Sequence, residues 1–273
     1  MSKLVRYALT AACVLSANAA SAAWTLNLPR GATELSQEAY RLHMIIMAWC
    51  AGIAVVVFGA MIYSLVKFRR SKGAQPDQSM THSTTAEIVW TVIPIIILIA
   101  MAIPAARALI KIEDASNARL TIKVTGYQWK WRYEYLDAGV DFYSTLAADS
   151  NETRILGSGK DPYAVSDYLL NVDHPLVVPV NTKVRLLLTA GDVIHAWWVP
   201  ELGVKKDAVP GFINELWFSA DKVGVYRGQC AELCGRDHGF MPIVVDVKSQ
   251  ADYDAWLKER QPAGADSAAA AAQ

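Results

Sequence analysis

Residues 230–241 read CAELCGRDHGFM and place two cysteines, a histidine and a methionine in the order Cys-x-Glu-x-Cys-x3-His-x2-Met. A further histidine, His195, lies upstream in the segment GDVIHAWWVP. Thiolate and thioether sulfur beside imidazole suits copper far better than magnesium or calcium. Two thiolates four residues apart can each bridge two metal ions. The stretch therefore favours a binuclear copper centre used for electron transfer over a single blue-copper site.

Two other interpretations of the same residues stay open at this point. Cys230 and Cys234 would form a disulfide if the domain is exported, because disulfides persist outside the cytosol. Zinc would take the two cysteines and two histidines as a tetrahedral site and leave Met241 as an ordinary core residue. The spacing of the cysteines and His238 is not a usual zinc spacing, and the full ligand set favours copper.

The composition indicates membrane segments. The chain has 273 residues, enough for one or two domains, and 53% of them are hydrophobic. Lysine plus arginine equals aspartate plus glutamate, so net charge identifies no partner, and nothing points to nucleic acid. The remaining cysteines, Cys13 and Cys50, lie in apolar runs and are expected to be small buried residues.

The first residues, MSKLVRYALTAACVLSANAASAAW, have the three-part pattern of a secretory signal peptide. Two basic residues precede an apolar run too short to span a bilayer, and small residues follow it. The pattern predicts a signal peptide over residues 1–22, cleavage near Ala22 or Ala23, and an exported segment over residues 23–41.

Two long apolar runs predict membrane helices over residues 42–66 and 88–110, and together they form a transmembrane hairpin spanning residues 42–110. The loop between them, residues 67–87, opens with four basic residues and is predicted to be cytoplasmic by the positive-inside rule. Both outer helix ends are then outside, in agreement with the signal peptide. Pro94 and Pro104 interrupt the second run, which hints at protein packing around that helix.

Residues 111–250 change character to a β domain. Short runs rich in β-branched and aromatic residues are separated by turn residues, which argues for a sandwich or barrel. The runs are TIKVTGYQWKWRYEY, YLLNVD, LVVPV, KVRLLLTA, VIHAWWVP, INELWFSA and MPIVVDV. A long surface loop is expected from Ala147 to Asp167. A short helix, Gln250–Arg260, and an alanine-rich tail, disordered from Pro262, account for residues 251–273.

One run alternates aromatic and polar residues from Tyr127 to Tyr135. In a regular strand every aromatic side chain would lie on one face, which most often means a packed face of a sandwich. A functional interpretation is that one of the tryptophans lies near the metal and passes electrons.

Glu87 stands at the cytoplasmic start of the second helix. A structural role predicts a capping box in which Thr84 bonds forward and Glu87 reaches back to the backbone. A functional role is a proton entrance, because ionisable groups at the membrane often mark proton paths.

The chain as a whole resembles subunit II of cytochrome c oxidase from the hairpin to Val247. The matching stretches are EIVWTVIPIIIL, GYQWKWRYEY, GDVIHAWWVP, GVKKDAVPG and GQCAELCGRDHGFMPI. The resemblance implies a membrane-anchored all-β protein whose cupredoxin-like β-sandwich or barrel carries the binuclear CuA centre. The implied copper ligands are His195, Cys230, Cys234, His238, Met241 and the backbone carbonyl of Glu232.

The resemblance also implies partners and further roles. The Glu232 side chain would help to hold magnesium at the junction with subunit I. Trp129 would receive electrons from cytochrome c, which would dock near Asp173 and Asp192, with Glu134 less clearly matched. Glu87 would be the entrance of one proton path into subunit I.

The resemblance implies that the chain accepts electrons from cytochrome c and passes them to haem in subunit I, where oxygen reduction and proton pumping would take place. Subunit III and membrane lipid are the other expected partners. The copper domain and both termini would lie on the periplasmic side of a bacterial inner membrane.

The sequence departs from the family in places. Tyr127 stands where histidine is frequent, Lys130 separates the tryptophans where an aromatic is common, and the loop from Ala147 to Asp167 is longer than in compact members. No Cys-x2-Cys-His follows, so a fused haem c domain is not expected.

Three other classes of protein share some of these features. A quinol oxidase subunit II would lack the copper ligands. Nitrous oxide reductase would lack the hairpin. A membrane-anchored copper chaperone would not need Met241, Glu232 and the tryptophan run together.

Overall fold

The structure is a computed structural model that describes residues 27–75 and 82–261. The predicted signal peptide, Cys13 and the alanine-rich tail from Pro262 lie outside the described residues.

Two long helices form the membrane anchor. The first, α1, spans Glu34–Lys67 and the second, α2, spans Thr84–Glu113. Both are long and apolar enough to cross a bilayer. Their apolar side chains are exposed around the whole circumference, as expected for surfaces that meet lipid or partner helices. The predicted hairpin is confirmed.

Helix α1 begins at Glu34, before the predicted start at Leu42. The prediction started too late because the first turns carry charged and polar residues, which a search for apolar runs excludes. Cys50 lies on its exposed surface, so the expectation that this cysteine is buried within the chain is wrong. Helix α2 runs without a break through Pro94 and Pro104.

Within the described residues, ten strands build a sandwich of two five-stranded sheets. The strands are β1 Leu120–Tyr127, β2 Lys130–Tyr135, β3 Val140–Ser144, β4 Leu176–Pro179, β5 Val184–Ala190, β6 His195–Val199, β7 Val204–Ala208, β8 Asn214–Phe218, β9 Gly224–Cys230 and β10 Pro242–Lys248. The strand orders are β3-β2-β1-β5-β8 and β4-β10-β9-β6-β7. The β1–β5 and β4–β10 pairs are parallel and the others antiparallel. The predicted β-sandwich after the hairpin is confirmed.

The aromatic run is a hairpin rather than one regular strand. Strand β1 ends at Tyr127, β2 starts at Lys130, and these two residues pair across a turn made by Gln128 and Trp129. Trp131, Tyr133 and Tyr135 of β2 alternate inward and are fully buried. Trp129 leaves that packed face because it lies in the turn.

Two other predicted elements differ. The run YLLNVD forms no strand beyond an isolated bridge between Val172 and Leu146. Leu169 within the run and Asp167 just before it adopt positive φ angles of 63° and 51°, which do not fit a pleated backbone. The expected surface loop from Ala147 begins with a short helix, α3, over Ala148–Thr153. The final helix, α4, spans Gln250–Arg260 as predicted.

The start of α1 and the end of α2 both contact the sandwich. Thr33 caps α1 and donates its hydroxyl to the Leu202 carbonyl oxygen at 2.8 Å, fully buried against the sandwich. At the end of α2, the indole N–H of Trp217 donates to the Lys111 carbonyl oxygen at 3.2 Å. Lys206 forms an ion pair with Glu113 at 3.1 Å. These contacts set the direction in which the sandwich leaves the membrane.

Candidate metal centre

Sulfur and nitrogen atoms from three parts of the β domain converge at one end of the sandwich. The Sγ atoms of Cys230 and Cys234 are 3.9 Å apart. The Nδ1 atom of His195 lies 3.9 Å from the Cys230 sulfur, and that of His238 lies 3.5 Å from the Cys234 sulfur. The Met241 thioether is 3.5 Å from the Cys234 sulfur. His195, Cys230 and Cys234 form a group able to hold a metal ion.

The two cysteines are free thiols, which disagrees with the disulfide interpretation. Their sulfurs are separated by far more than a bonded pair, for which about 2.05 Å is expected. Both side chains are buried, at 5% and 3% exposure, so they are held together inside the domain.

Strand ends bring the ligands together. His195 begins β6 and Cys230 ends β9, and these strands pair through Trp197 and Cys230. Met241 immediately precedes β10, which pairs with β9 from Pro242 onward. The loop between β9 and β10 therefore starts and finishes at the same end of the sheet, where its sulfur atoms meet His195.

The Glu232 backbone oxygen also faces the cluster, at 3.4 Å from the Cys230 sulfur. The side chains of Glu232 and of its neighbour Leu233 are exposed. The backbone and the side chain of Glu232 are thus available to different partners.

His195 is fully buried and its ring is fixed from several sides. Its Nε2 lies 2.9 Å from Asp192 Oδ1, and Trp131 packs edge-on against the ring at 5.8 Å between centroids. A Cβ atom at Gly126 would lie 2.8 Å from the ring, so only glycine leaves room. Burial by itself lowers the pKa of His195, but the contacts with Cys230 and Asp192 outweigh it and raise the pKa. A carboxylate behind a histidine orients the ring for a metal.

The two thiols differ electrostatically. Burial opposes ionisation of Cys230, but the His195 imidazole and nearby backbone groups outweigh burial and lower its pKa. Burial and the neighbouring Cys230 raise the pKa of Cys234. Cys230 is therefore the thiol that ionises more readily, and metal binding would displace a proton from Cys234.

The Gln128–Trp129 turn packs on the metal loop. The Gln128 backbone N–H donates to Asp192 Oδ2 at 2.7 Å, and its side-chain amide donates to the Cys234 carbonyl oxygen at 2.8 Å. A Cβ atom at Gly235 would lie 3.1 Å from the Trp129 ring, so the indole lies directly over the loop. The turn thus joins Trp129, Asp192 and the metal loop.

The three acids expected at a docking surface all have internal partners. Asp192 holds His195 and the Gln128 backbone. Asp173 accepts from the Thr145 N–H at 2.7 Å, and Glu134 pairs with Lys123 at 3.1 Å. Their side chains are between 21% and 38% exposed, so each also reaches the surface.

The capping box expected at Glu87 is wrong. The N-cap of α2 is Ser83, whose hydroxyl accepts from the Ala86 N–H, and Glu87 lies one residue too late to complete a box. The Glu87 carboxylate is exposed.

Sequence reasoning missed Gln128 and Gly126, and it placed Asp192 only at the surface. The spacing Asp192-x2-His195 was a usable signal for a carboxylate behind a ligand. The roles of Gln128 and Gly126 depend on residues far along the chain and left no local signal.

Geometry and fold together define a class: a membrane-anchored β-sandwich protein with a buried His/Cys/Cys cluster able to hold a metal ion. The family model described as the transmembrane domain of cytochrome c oxidase subunit II matches residues 21–107, and that of its periplasmic domain matches residues 120–248. The chain belongs to the cytochrome c oxidase subunit II family, and the resemblance seen in the sequence is confirmed.

Relatives agree with this assignment. A probable cytochrome c oxidase subunit 2 of Rickettsia prowazekii is 43% identical over 235 residues, covering 86% of this chain and 72% of the relative. The cytochrome c oxidase subunit 2 of Cereibacter sphaeroides is 37% identical over 239 residues, covering 84% and 78%. A crystal structure of the periplasmic domain of subunit II from Bradyrhizobium japonicum is 44% identical, with a TM-score of 0.46, covering 54% of this chain and 96% of that one.

Proposed function

We propose that this chain is the electron-accepting subunit of a cytochrome c oxidase and that the loop of residues 230–241 with His195 holds two copper ions. The observation that carries the proposal is the convergence of two thiols, two imidazole Nδ1 atoms, a thioether and a backbone carbonyl at one end of the sandwich. Copper held there would supply one-electron transfer, with no atom transferred.

The donor set fits copper. Zinc would be satisfied by two thiolates and two imidazoles. The Met241 sulfur nevertheless lies 3.5 Å from the Cys234 sulfur, and thioether sulfur selects soft copper. Two adjacent thiolates can each bridge a pair of ions. The proposed ligands are His195, Cys230, the Glu232 carbonyl, Cys234, His238 and Met241.

Trp129 is proposed as the point at which electrons from cytochrome c arrive. The indole is partly exposed and packs on Gly235 of the metal loop, so it lies between solvent and the ligands. Asp173, Asp192 and Glu134 would add negative charge to the docking surface. We expect the main role of Asp192 to be its bond to His195 rather than docking, because that contact is short and partly buried.

The remaining assignments concern the partners. Haem in subunit I would receive the electron, and oxygen reduction and proton pumping would occur there, with subunit III as a further neighbour. The exposed Glu232 carboxylate would help to hold magnesium at the junction with subunit I. The exposed Glu87 carboxylate would admit protons on the cytoplasmic side, and the copper domain would face the periplasm of a bacterial inner membrane.

The copper chaperone alternative fits less well. A protein that hands metal to a partner needs accessible ligands, whereas Cys230, Cys234 and Met241 are buried and His195 is fully buried. A quinol oxidase subunit would have no use for the ligand cluster.

The test is metal content. The full chain in detergent, reduced and loaded with copper, should bind two copper ions per chain by elemental analysis and retain them against excess zinc. Met241→Leu should retain copper less tightly, while Met47→Leu on the exposed surface of α1 should match the wild type. A chain that takes up one metal ion, or prefers zinc, would overturn the proposal.

A further inference from the structure

The segment after β3 folds back onto the metal loop through Arg154, the residue that follows α3. The Arg154 guanidinium lies 3.3 Å from an Asp237 carboxylate oxygen. It also stacks over the Phe240 ring, with 4.3 Å from Cζ to the ring centroid. Asp237 and Phe240 are the two ends of the turn that carries His238, and the Phe240 N–H closes the turn by donating to the Asp237 carbonyl oxygen at 2.9 Å. One side chain therefore holds both ends of this turn.

Arg154 is itself fixed in place. Its Nε donates to Asn151 Oδ1 at 2.8 Å, and its backbone N–H donates to the Ser150 carbonyl oxygen at 3.0 Å. Ser150 is fully buried, and its hydroxyl accepts from the Leu169 N–H at 3.2 Å. The Arg154 and Asp237 side chains are 25% and 16% exposed, so solvent screens this ion pair less than a surface pair.

A second ion pair fastens the far end of the same segment. Asp167 lies 2.8 Å from the Arg227 guanidinium on β9, the strand that runs into Cys230. Residues 148–167 are thus attached both to the strand that enters the metal loop and to the turn near its end.

His238 depends on such a contact more than the other ligands do. It is only half-buried, and its turn belongs to no strand. Beside the turn is a cleft of about 160 Å³ lined by Trp129, Asn151, Asp237 and Phe240, among others. The cleft leaves the turn space to shift if its contact with Arg154 is lost.

We propose that Arg154 is a positioning residue for the metal loop, holding the Asp237–Phe240 turn so that the His238 imidazole faces Cys234. This inference rests on the proposed copper-binding function of the loop. Arg154 touches none of the ligand atoms, and its effect passes through the turn.

The test uses the full chain in detergent, loaded with copper. Arg154→Gln should lose copper to a chelator about tenfold faster than the wild type, at the low end of effects seen for outer-shell partners. It should also change the copper hyperfine splitting in paramagnetic resonance, since His238 would move. Arg154→Lys should be intermediate, because lysine keeps the charge but loses the planar stacking and the Asn151 bond. Lys160→Gln is the matched control: it removes one positive charge from an exposed side chain of the same segment that pairs with Glu152.

A double-mutant cycle shows whether the effect passes through Asp237. If it does, Arg154→Gln combined with Asp237→Asn should change copper loss less than the sum of the single changes. Additive effects would overturn the positioning role of Arg154, and so would an Arg154→Gln protein with wild-type copper loss and hyperfine splitting. Either result would leave the proposed copper-binding function standing. A wild-type chain that takes up no copper would overturn this inference together with the proposed function.

Discussion

The metal centre has two sides that are built differently. The inner wall consists of His195, Cys230, Cys234 and Met241, all buried, three of them at or next to strand ends. The outer turn, residues 237–240, carries the half-buried His238 and is held by side-chain contacts with Arg154. Strand pairing thus places His195, Cys230 and Met241, whereas the turn that carries His238 is held by side-chain contacts. Substitutions in the inner wall should therefore change both folding stability and metal binding. Substitutions in the outer turn should change metal binding alone.

The largest expected effect is on the inner wall. Cys230→Ser and Cys234→Ser should each abolish binding of the copper pair, because a hydroxyl oxygen is a poor ligand for copper and cannot replace a bridging thiolate. Copper content and paramagnetic resonance measure the loss. Cys50→Ser, on the exposed surface of α1, is the control and should keep both copper ions. Two copper ions in either loop variant would contradict the bridging role.

The next effect concerns the group behind His195. Asp192→Asn should weaken copper binding by about 10–100-fold, because the carboxylate that orients the ring is lost. Competition with a chelator measures the affinity. Asp254→Asn on α4 removes the same charge far from the loop and should leave the affinity unchanged. Equal affinities in both variants would confine Asp192 to a docking role.

Substitutions at two glycines test the difference between the inner wall and the outer turn. Gly126→Ala should lower the free energy of unfolding by about 1–3 kcal/mol, because the new methyl group overlaps the His195 ring. Gly239→Ala in the outer turn meets only open space and should change it by less than about 0.5 kcal/mol. Denaturant unfolding of the metal-free chains measures both. A similar loss in the two variants would remove the distinction between inner wall and outer turn.

The smallest expected effect is on the rate of electron transfer through Trp129, which touches the loop without supplying a ligand. Trp129→Phe should slow electron transfer from reduced cytochrome c by about tenfold, equivalent to roughly 1.4 kcal/mol on the barrier. Copper content should stay unchanged. Rapid-mixing kinetics with the assembled oxidase measure the rate, and Trp198→Phe, whose indole packs near Lys205, is the control. An unchanged rate would remove the proposed role of Trp129.

The sequence was informative where the determining residues are close together. Hydrophobic length predicts both membrane helices, and the spacing of Cys230, Cys234, His238 and Met241 predicts the ligand loop within one short stretch. Strands β3, β7 and β9 were missed, since charges and glycines interrupt their apolar patterns.

Long-range contacts escaped prediction for a physical reason. Alternation of aromatic residues continues through the Gln128–Trp129 turn, so the pattern conceals the hairpin. Arg154 and Asp237 are 83 residues apart, and nothing local to either residue indicates the other. The inner wall could therefore be predicted from the sequence, while the support of the outer turn required the structure.

Paramagnetic resonance of the full chain, loaded with copper and carrying one unpaired electron at the centre, tests the binuclear site most directly. The bridging thiolates predict a mixed-valence signal whose hyperfine pattern comes from one electron shared equally between two copper nuclei. A pattern from a single copper nucleus would contradict it.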